Sequence, residues 1–96
     1  MTARLAAKVE LDFPGLERPV VIHALERVDL GSWLATQPPR GRERVLAAVL
    51  VLTRGDPDRL AESIRIAERD WRDALVWGGL GNGDWPERLD ELLGPA

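Results

Sequence analysis

Residues 44–57 read RVLAAVLVLTRGDP, and this stretch decides the fold. Val45 through Leu52 are apolar without interruption. Coiled into a helix, they point to every side, so that helix has to run through the middle of the molecule. A buried strand is the competing reading of such a run. The pair Ala47-Ala48 and the helical patterns on either side argue against it. Gly55-Asp56-Pro57 then reads as a stop followed at once by a start. Glycine takes the left-handed position after a helix, aspartate caps the next one, and proline suits its first position. Two helices therefore meet at a tight corner, the first spanning about Arg42 to Thr53.

Beyond the corner, Leu60, Ile64, Ala67, Trp71, Ala74, Leu75 and Gly78 recur at helical spacing and predict one long core-facing seam. Glu68 and Arg72 stand four apart, as a supporting ion pair would. Asp70 and Asp73 leave a second option open, in which Asp70 caps a new helix and the seam breaks near Arg69. Gly78-Gly79-Leu80-Gly81-Asn82-Gly83 is too rich in glycine to stay helical and predicts a mobile loop. Asp84-Trp85-Pro86-Glu87 matches a capping box and starts a last helix that shows Trp85, Leu89, Leu92 and Leu93 to the core. Gly94-Pro95 ends it.

Upstream, Arg4 to Phe13 reads two ways. Leu5, Ala7, Val9, Leu11 and Phe13 alternate as in a strand, whereas Leu5, Ala6, Val9 and Phe13 also make a helical stripe; the alanines favour helix. Pro14-Gly15 closes that segment. A second helix is expected from Glu17–Pro19 towards Val28, with Val21, Leu25 and Val28 as its seam. Asp29-Leu30-Gly31 breaks it, Ser32-Trp33-Leu34-Ala35 forms a short packed turn, and Gln37-Pro38-Pro39 a stiff connector.

The chain has 96 residues, 45% of them hydrophobic and 30% charged, which fits one globular domain over residues 1–96. It contains no cysteine, so disulfides, thiolate zinc sites and a cysteine nucleophile are out of reach. No secretory signal pattern or membrane-length apolar run is legible, and a cytoplasmic location is expected. Lys8 is the single lysine among many arginines, a bias that suggests a GC-rich bacterial genome. Net charge is −3 and unevenly spread. Up to Gly55, eight basic and six acidic residues leave +2; from Asp56 onward, five basic and ten acidic residues leave −5.

The chemical inventory is thin: one histidine, two serines and no tyrosine. His23 carries no accompanying motif and reads as a histidine without a catalytic task. Asp56 and Asp58 begin like a calcium loop, but Leu60 stands where a third oxygen ligand belongs and Ala61 where glycine is required. The glycine run at 78–83 has neither dinucleotide spacing nor a phosphate-binding lysine. No catalytic residue, metal ligand or cofactor is expected.

Two surface features remain. Arg40, Arg42 and Arg44 form a basic cluster that could contact phosphate, though Glu43 dilutes it and the apolar run behind it cannot face a nucleic-acid groove. Among the four tryptophans, Trp71 and Trp85 fall on core seams. Trp77 falls off them. On a continuous helix it shares a second stripe with Ile66, Asp70, Asp73 and Leu80, mixing large apolar groups with acids. Such a mixture suits a partner-binding face made of Asp70, Asp73 and Trp77, in which the acids steer a basic partner; the competing reading is that Trp77 covers another helix of the same domain.

Arg44-Val45-Leu46-Ala47-Ala48-Val49-Leu50, the Gly55-Asp56 corner, Leu60, Asp70-Trp71-Arg72-Asp73-Ala74-Leu75 and Ala24-Leu25-Glu26-Arg27 together resemble a group of short bacterial proteins to which no function is attached. The resemblance covers about the middle two thirds of the chain. It implies helices between about residues 17 and 78 and nothing about activity. The glycine loop and the final helix depart from the group. The expectation is a compact all-α bundle of four to five helices. It serves as a protein-binding module of adaptor, regulator or toxin-neutralising type; a nucleic-acid-associated regulator using Arg40, Arg42 and Arg44 is the alternative.

Overall fold

In the computed structural model, which describes residues 1–15, 17–31 and 39–94, the apolar run forms the second half of a helix, Pro39–Thr53. Val45, Leu46, Ala47, Ala48, Val49 and Leu50 are all buried, in keeping with side chains that leave the helix in every direction. The helices among the described residues are α1 (Ala3–Asp12), α2 (Glu17–Glu26), α3 (Pro39–Thr53), α4 (Pro57–Arg69), α5 (Trp71–Trp77) and α6 (Trp85–Leu93). No strand occurs among those residues, and α3 touches α1, α4, α5 and α6. The fold is therefore all-α, arranged around the helix whose sequence left it no exposed face.

The corner between α3 and α4 has the expected chemistry. Gly55 is left-handed at φ 69°, Asp56 is extended, and its carboxylate accepts from the Asp58 N–H at 3.0 Å. Arg54 shares the left-handed region at φ 55°, so the turn uses two consecutive unusual residues and only one of them is glycine. The segment 3–12 is helical, which decides the strand-or-helix ambiguity in favour of the alanines. Thr2 caps it, accepting from the Leu5 N–H at 3.3 Å. Val21, Leu25 and Val28 are buried as the seam of α2 requires. The helix itself ends at Glu26, two residues short of the expected limit.

Six helices stand among the described residues where four or five were expected, because the long seam breaks. Asp70 is extended at φ −155°, ψ 103°; it closes α4 through its N–H to the Ile66 carbonyl and opens α5 by accepting from the Arg72 N–H. The expected Glu68–Arg72 pair is absent for that reason: once the helix breaks between them, four residues no longer make one turn. Glu68 instead accepts from the Asp29 N–H at 2.9 Å, and Arg72 turns back to Asp70 at 3.1 Å. The connector expected at 37–39 is also corrected at its end, since Pro39 is the first residue of α3, where a missing N–H costs nothing. The turn expected at Ser32–Ala35, and Gln37-Pro38 with it, lie outside the described residues, as does Pro95.

The glycine segment begins with a hydrogen-bonded turn that ends α5. Gly79 is left-handed at φ 77°; the Leu80 N–H donates to the Leu75 carbonyl at 2.9 Å and the Gly79 N–H to Val76 at 3.3 Å. This is a Schellman closure, and the apolar residue following it, Leu80, is buried next to the helix end it caps. Gly78 makes room for the crossing of α3, for a Cβ there would sit 2.8 Å from that of Ala48. The capping box at Asp84 does not form. Asp84 has φ −87° and ψ 13°, outside the extended geometry a cap needs, and its carboxylate pairs with Arg88 at 3.1 Å.

Candidate functional site

Charge and apolar surface part company at two places on the bundle. The first is where α1, α3 and α6 meet. Glu43 lies one turn before Leu46 and Ala47 and is therefore carried on the buried side of α3, with only 4% of its side chain exposed. Arg4 reaches it with two nitrogens, Nε at 3.1 Å and Nη2 at 2.7 Å, while Thr2 donates its hydroxyl to the other carboxylate oxygen. The same guanidinium donates through Nη1 to Asp90 at 2.7 Å and to the Gly94 carbonyl at 2.8 Å. Glu43 first and Asp90 second raise the Arg4 guanidinium above its ordinary value. Among the described residues no buried side-chain nitrogen or oxygen lacks a partner. The cluster ties three helices together, with every arginine nitrogen directed at an acceptor.

The basic residues around Glu43 are drawn into the same framework. Arg42 donates through Nη2 to the Leu25 and Glu26 carbonyls at 3.3 and 3.1 Å, closing the C-terminal end of α2. Arg44 donates through Nε to the Leu80 carbonyl at 2.9 Å and lays its guanidinium over the Trp85 ring, 4.4 Å from the centroid. Burial lowers the Arg44 guanidinium from its ordinary value. Arg40 lies in the first turn of α3, and its side chain is outside the described residues. Two members of the phosphate-contact cluster are thus directed inward, to different partners, and do not share a surface.

The second place is the end of α5. Val76 and Trp77 are adjacent and 67% and 57% exposed, whereas Trp71 and Trp85 are packed against the core. Asp73 is exposed and precedes Trp77 by four residues, so the two occupy one face of α5 with Val76 beside them. Asp70 has a different task. Its carboxylate accepts from both the Arg72 guanidinium and the Arg72 N–H, which together hold it below the usual carboxylate range. Leu80, the other member of the expected stripe, is buried, because the Schellman turn folds the chain inward. Of Asp70, Asp73 and Trp77, the structure leaves Asp73 and Trp77 on a common open face, and Asp70 sets the helix that carries them.

A shallow hollow of about 290 Å3 lies at the glycine turn, lined by Val51, Gly78, Gly79, Leu80, Arg88, Glu91 and Leu92. Sequence reasoning missed it, since its walls come from α3, the glycine turn and α6. A wider groove runs between α1 and α2 over Ala3, Ala6, Ala7 and Ile22, with His23 on its rim and an ion pair between Glu10 and Arg18 at 3.1 Å. Among the described residues, no three His, Asp or Glu side chains converge as metal ligands would, and no helix is long and apolar enough to cross a membrane. No protein-family model, no curated protein and no solved structure matches this chain.

Proposed function

We propose that this chain is a small protein-binding module of the bacterial cytoplasm, of adaptor, regulator or toxin-neutralising type, and that it docks through the exposed end of α5. The observation that carries the reading is the side-by-side exposure of Val76 and Trp77; the other large apolar residues exposed among those described, Met1, Leu11 and Val20, stand apart from one another in the chain. Hiding an indole is worth ~1.5–3 kcal/mol, so a fold that packs Trp71 and Trp85 but presents Trp77 leaves that gain for a partner to collect. Tryptophan is also the residue type most often found at the energetic centre of interfaces. Asp73 adds a charge at the rim, where it affects encounter and register more than affinity.

The bonds of Arg42 and Arg44 to backbone carbonyls weigh against the alternative, a nucleic-acid contact through the 40–44 cluster, because phosphate would compete with a helix closure and a cation–π stack for their guanidinium groups. The reading is tested with Trp77→Ala combined with Asp73→Arg. Both positions are exposed, so the far-ultraviolet spectrum is expected to be unchanged and stability to shift by under about 0.5 kcal/mol. The protein captured from a lysate by the parent chain is expected to be lost. Undiminished capture by the folded variant would reject this face.

A further inference from the structure

The link between the glycine turn and α6 holds a chemically reactive pair. We propose that Asn82 is a self-modification site: in the folded chain its side-chain amide is lost through attack by the backbone nitrogen of Gly83, giving aspartate and isoaspartate. Asn82 is the chain's one asparagine, and it stands between two glycines in Gly81-Asn82-Gly83. Both members of the pair are exposed. Cyclisation at asparagine is slowed by a side chain on the following residue, which crowds the attacking nitrogen, and by a fold that occupies that nitrogen in a hydrogen bond. Neither obstacle is seen among the described residues. Gly83 has no side chain, and a Cβ built on it meets nothing within 4 Å, so no neighbour crowds the approach. The Gly83 N–H and the Asn82 side chain both lack a hydrogen-bond partner among those residues.

The fold adds one contact that favours the reaction. The Trp85 N–H donates to the Asn82 carbonyl at 3.1 Å. That oxygen and the Gly83 nitrogen belong to one peptide group, whose electrons are delocalised over both. When Gly83 gives up its proton to base, the negative charge spreads onto the oxygen, where a hydrogen bond stabilises it. The turn therefore leaves the nucleophile open and lowers the cost of deprotonating it. The Gly83 nitrogen then bonds Asn82 Cγ, the bond from Cγ to Nδ2 breaks, and ammonia leaves once Nδ2 has taken a proton from solvent. The five-membered imide takes up one water. Opening at Cγ gives aspartate, and opening at the main-chain carbonyl gives isoaspartate, in which the backbone runs through the former side chain. Either product adds one negative charge to a chain at −3, just ahead of α6 and next to Asp84. Gln37, the other side-chain amide, has no such route, because it precedes Pro38, which carries no N–H to lose.

The test compares the folded chain with the same chain unfolded in guanidinium chloride, both kept in mildly alkaline buffer and followed by mass spectrometry of the whole chain and of its peptides. The folded chain should gain one mass unit, from NH2 to OH, on the peptide containing Asn82, at a rate no lower than that of the unfolded chain. Isoaspartate, detected by labelling with an isoaspartyl methyltransferase, should accompany aspartate. Gly83→Ala has room for its methyl and should fold as the parent does, yet slow the gain several-fold. Asn82→Ser should abolish the gain. A folded chain that keeps its mass or lags the unfolded one several-fold would overturn the proposal. So would a gain that persists in Asn82→Ser, or a product that is aspartate alone and forms at a rate indifferent to Gly83→Ala.

Discussion

The Glu43 end and the Trp77 end of this bundle reverse the usual distribution of polarity in opposite senses. At the first, an acid sits inside the fold, and Arg4 and Thr2 arrive from α1 to meet it. At the second, an indole and a valine stand in solvent within a turn of residues that are fully buried, Ala74 and Leu75. A buried charge is tolerated when its hydrogen bonds are complete, and then it acts as a joint: Arg4 connects α1 to α3 through Glu43 and to α6 through Asp90 and Gly94. Among the described residues the exposed indole has no comparable compensation. The first departure is explained inside the domain, and the second is the ground for the proposed docking face.

The comparison breaks most severely at Glu43. Glu43→Ala removes a carboxylate and leaves the Arg4 guanidinium, 12% exposed, without its main counter-charge; the expected loss is ~3–5 kcal/mol in urea unfolding. Replacing Arg4 and Glu43 together by apolar residues of similar volume should recover much of that loss, which would identify the uncompensated charge, and not lost packing, as the cause. A smaller effect is expected midway between the two ends. Gly78→Ala pushes a methyl to within 2.8 Å of the Ala48 Cβ, so α5 has to move away from α3, at an expected cost of ~1–3 kcal/mol. Indole fluorescence should shift with it, since the α5 tryptophans move too.

The smallest effect concerns acid. The Asp70 carboxylate is held below its usual range by Arg72 in the folded chain, so it contributes stability that is fully present above the unfolded carboxylate value. That contribution is lost as pH falls through the depressed folded value, and α5 should loosen at its first turn. Asp70→Asn keeps a capping oxygen without a titrating group. The part of the acid-induced change in Trp77 fluorescence that arises from Asp70 should disappear in that variant.

Much of this was legible in residue order. The uninterrupted run Val45–Leu52 announced a central helix, and Gly55-Asp56-Pro57 announced a corner whose cap is seen at 3.0 Å. Trp77 separated itself from Trp71 and Trp85 by spacing alone. Glu43 was misread as dilution of a basic cluster, although a signal existed: with Leu46, Ala47 and Leu50 it falls on one face of a helix that is buried all round, so it had to be buried as well. The capping box at Asp84 was a pattern match whose backbone geometry is absent.

What residue order determined by itself was local or compositional: which segments coil, where they stop, and which helix has to be enclosed. These follow from backbone conformational preferences and from the requirement to hide apolar groups, both of which act over a few residues. Tertiary structure decided the competition for partners. Asp70 could cap a new helix or lie within a continuous one, Glu68 could bond Arg72 or the Asp29 backbone, and Arg42 and Arg44 could face solvent or close a neighbouring helix. Each choice compares one hydrogen bond with another of nearly equal strength, so the result depends on which acceptor the packed helices bring within ~3 Å. Leu80 left the expected stripe for a similar reason, because its N–H bonds the Leu75 carbonyl and the turn carries its side chain into the core.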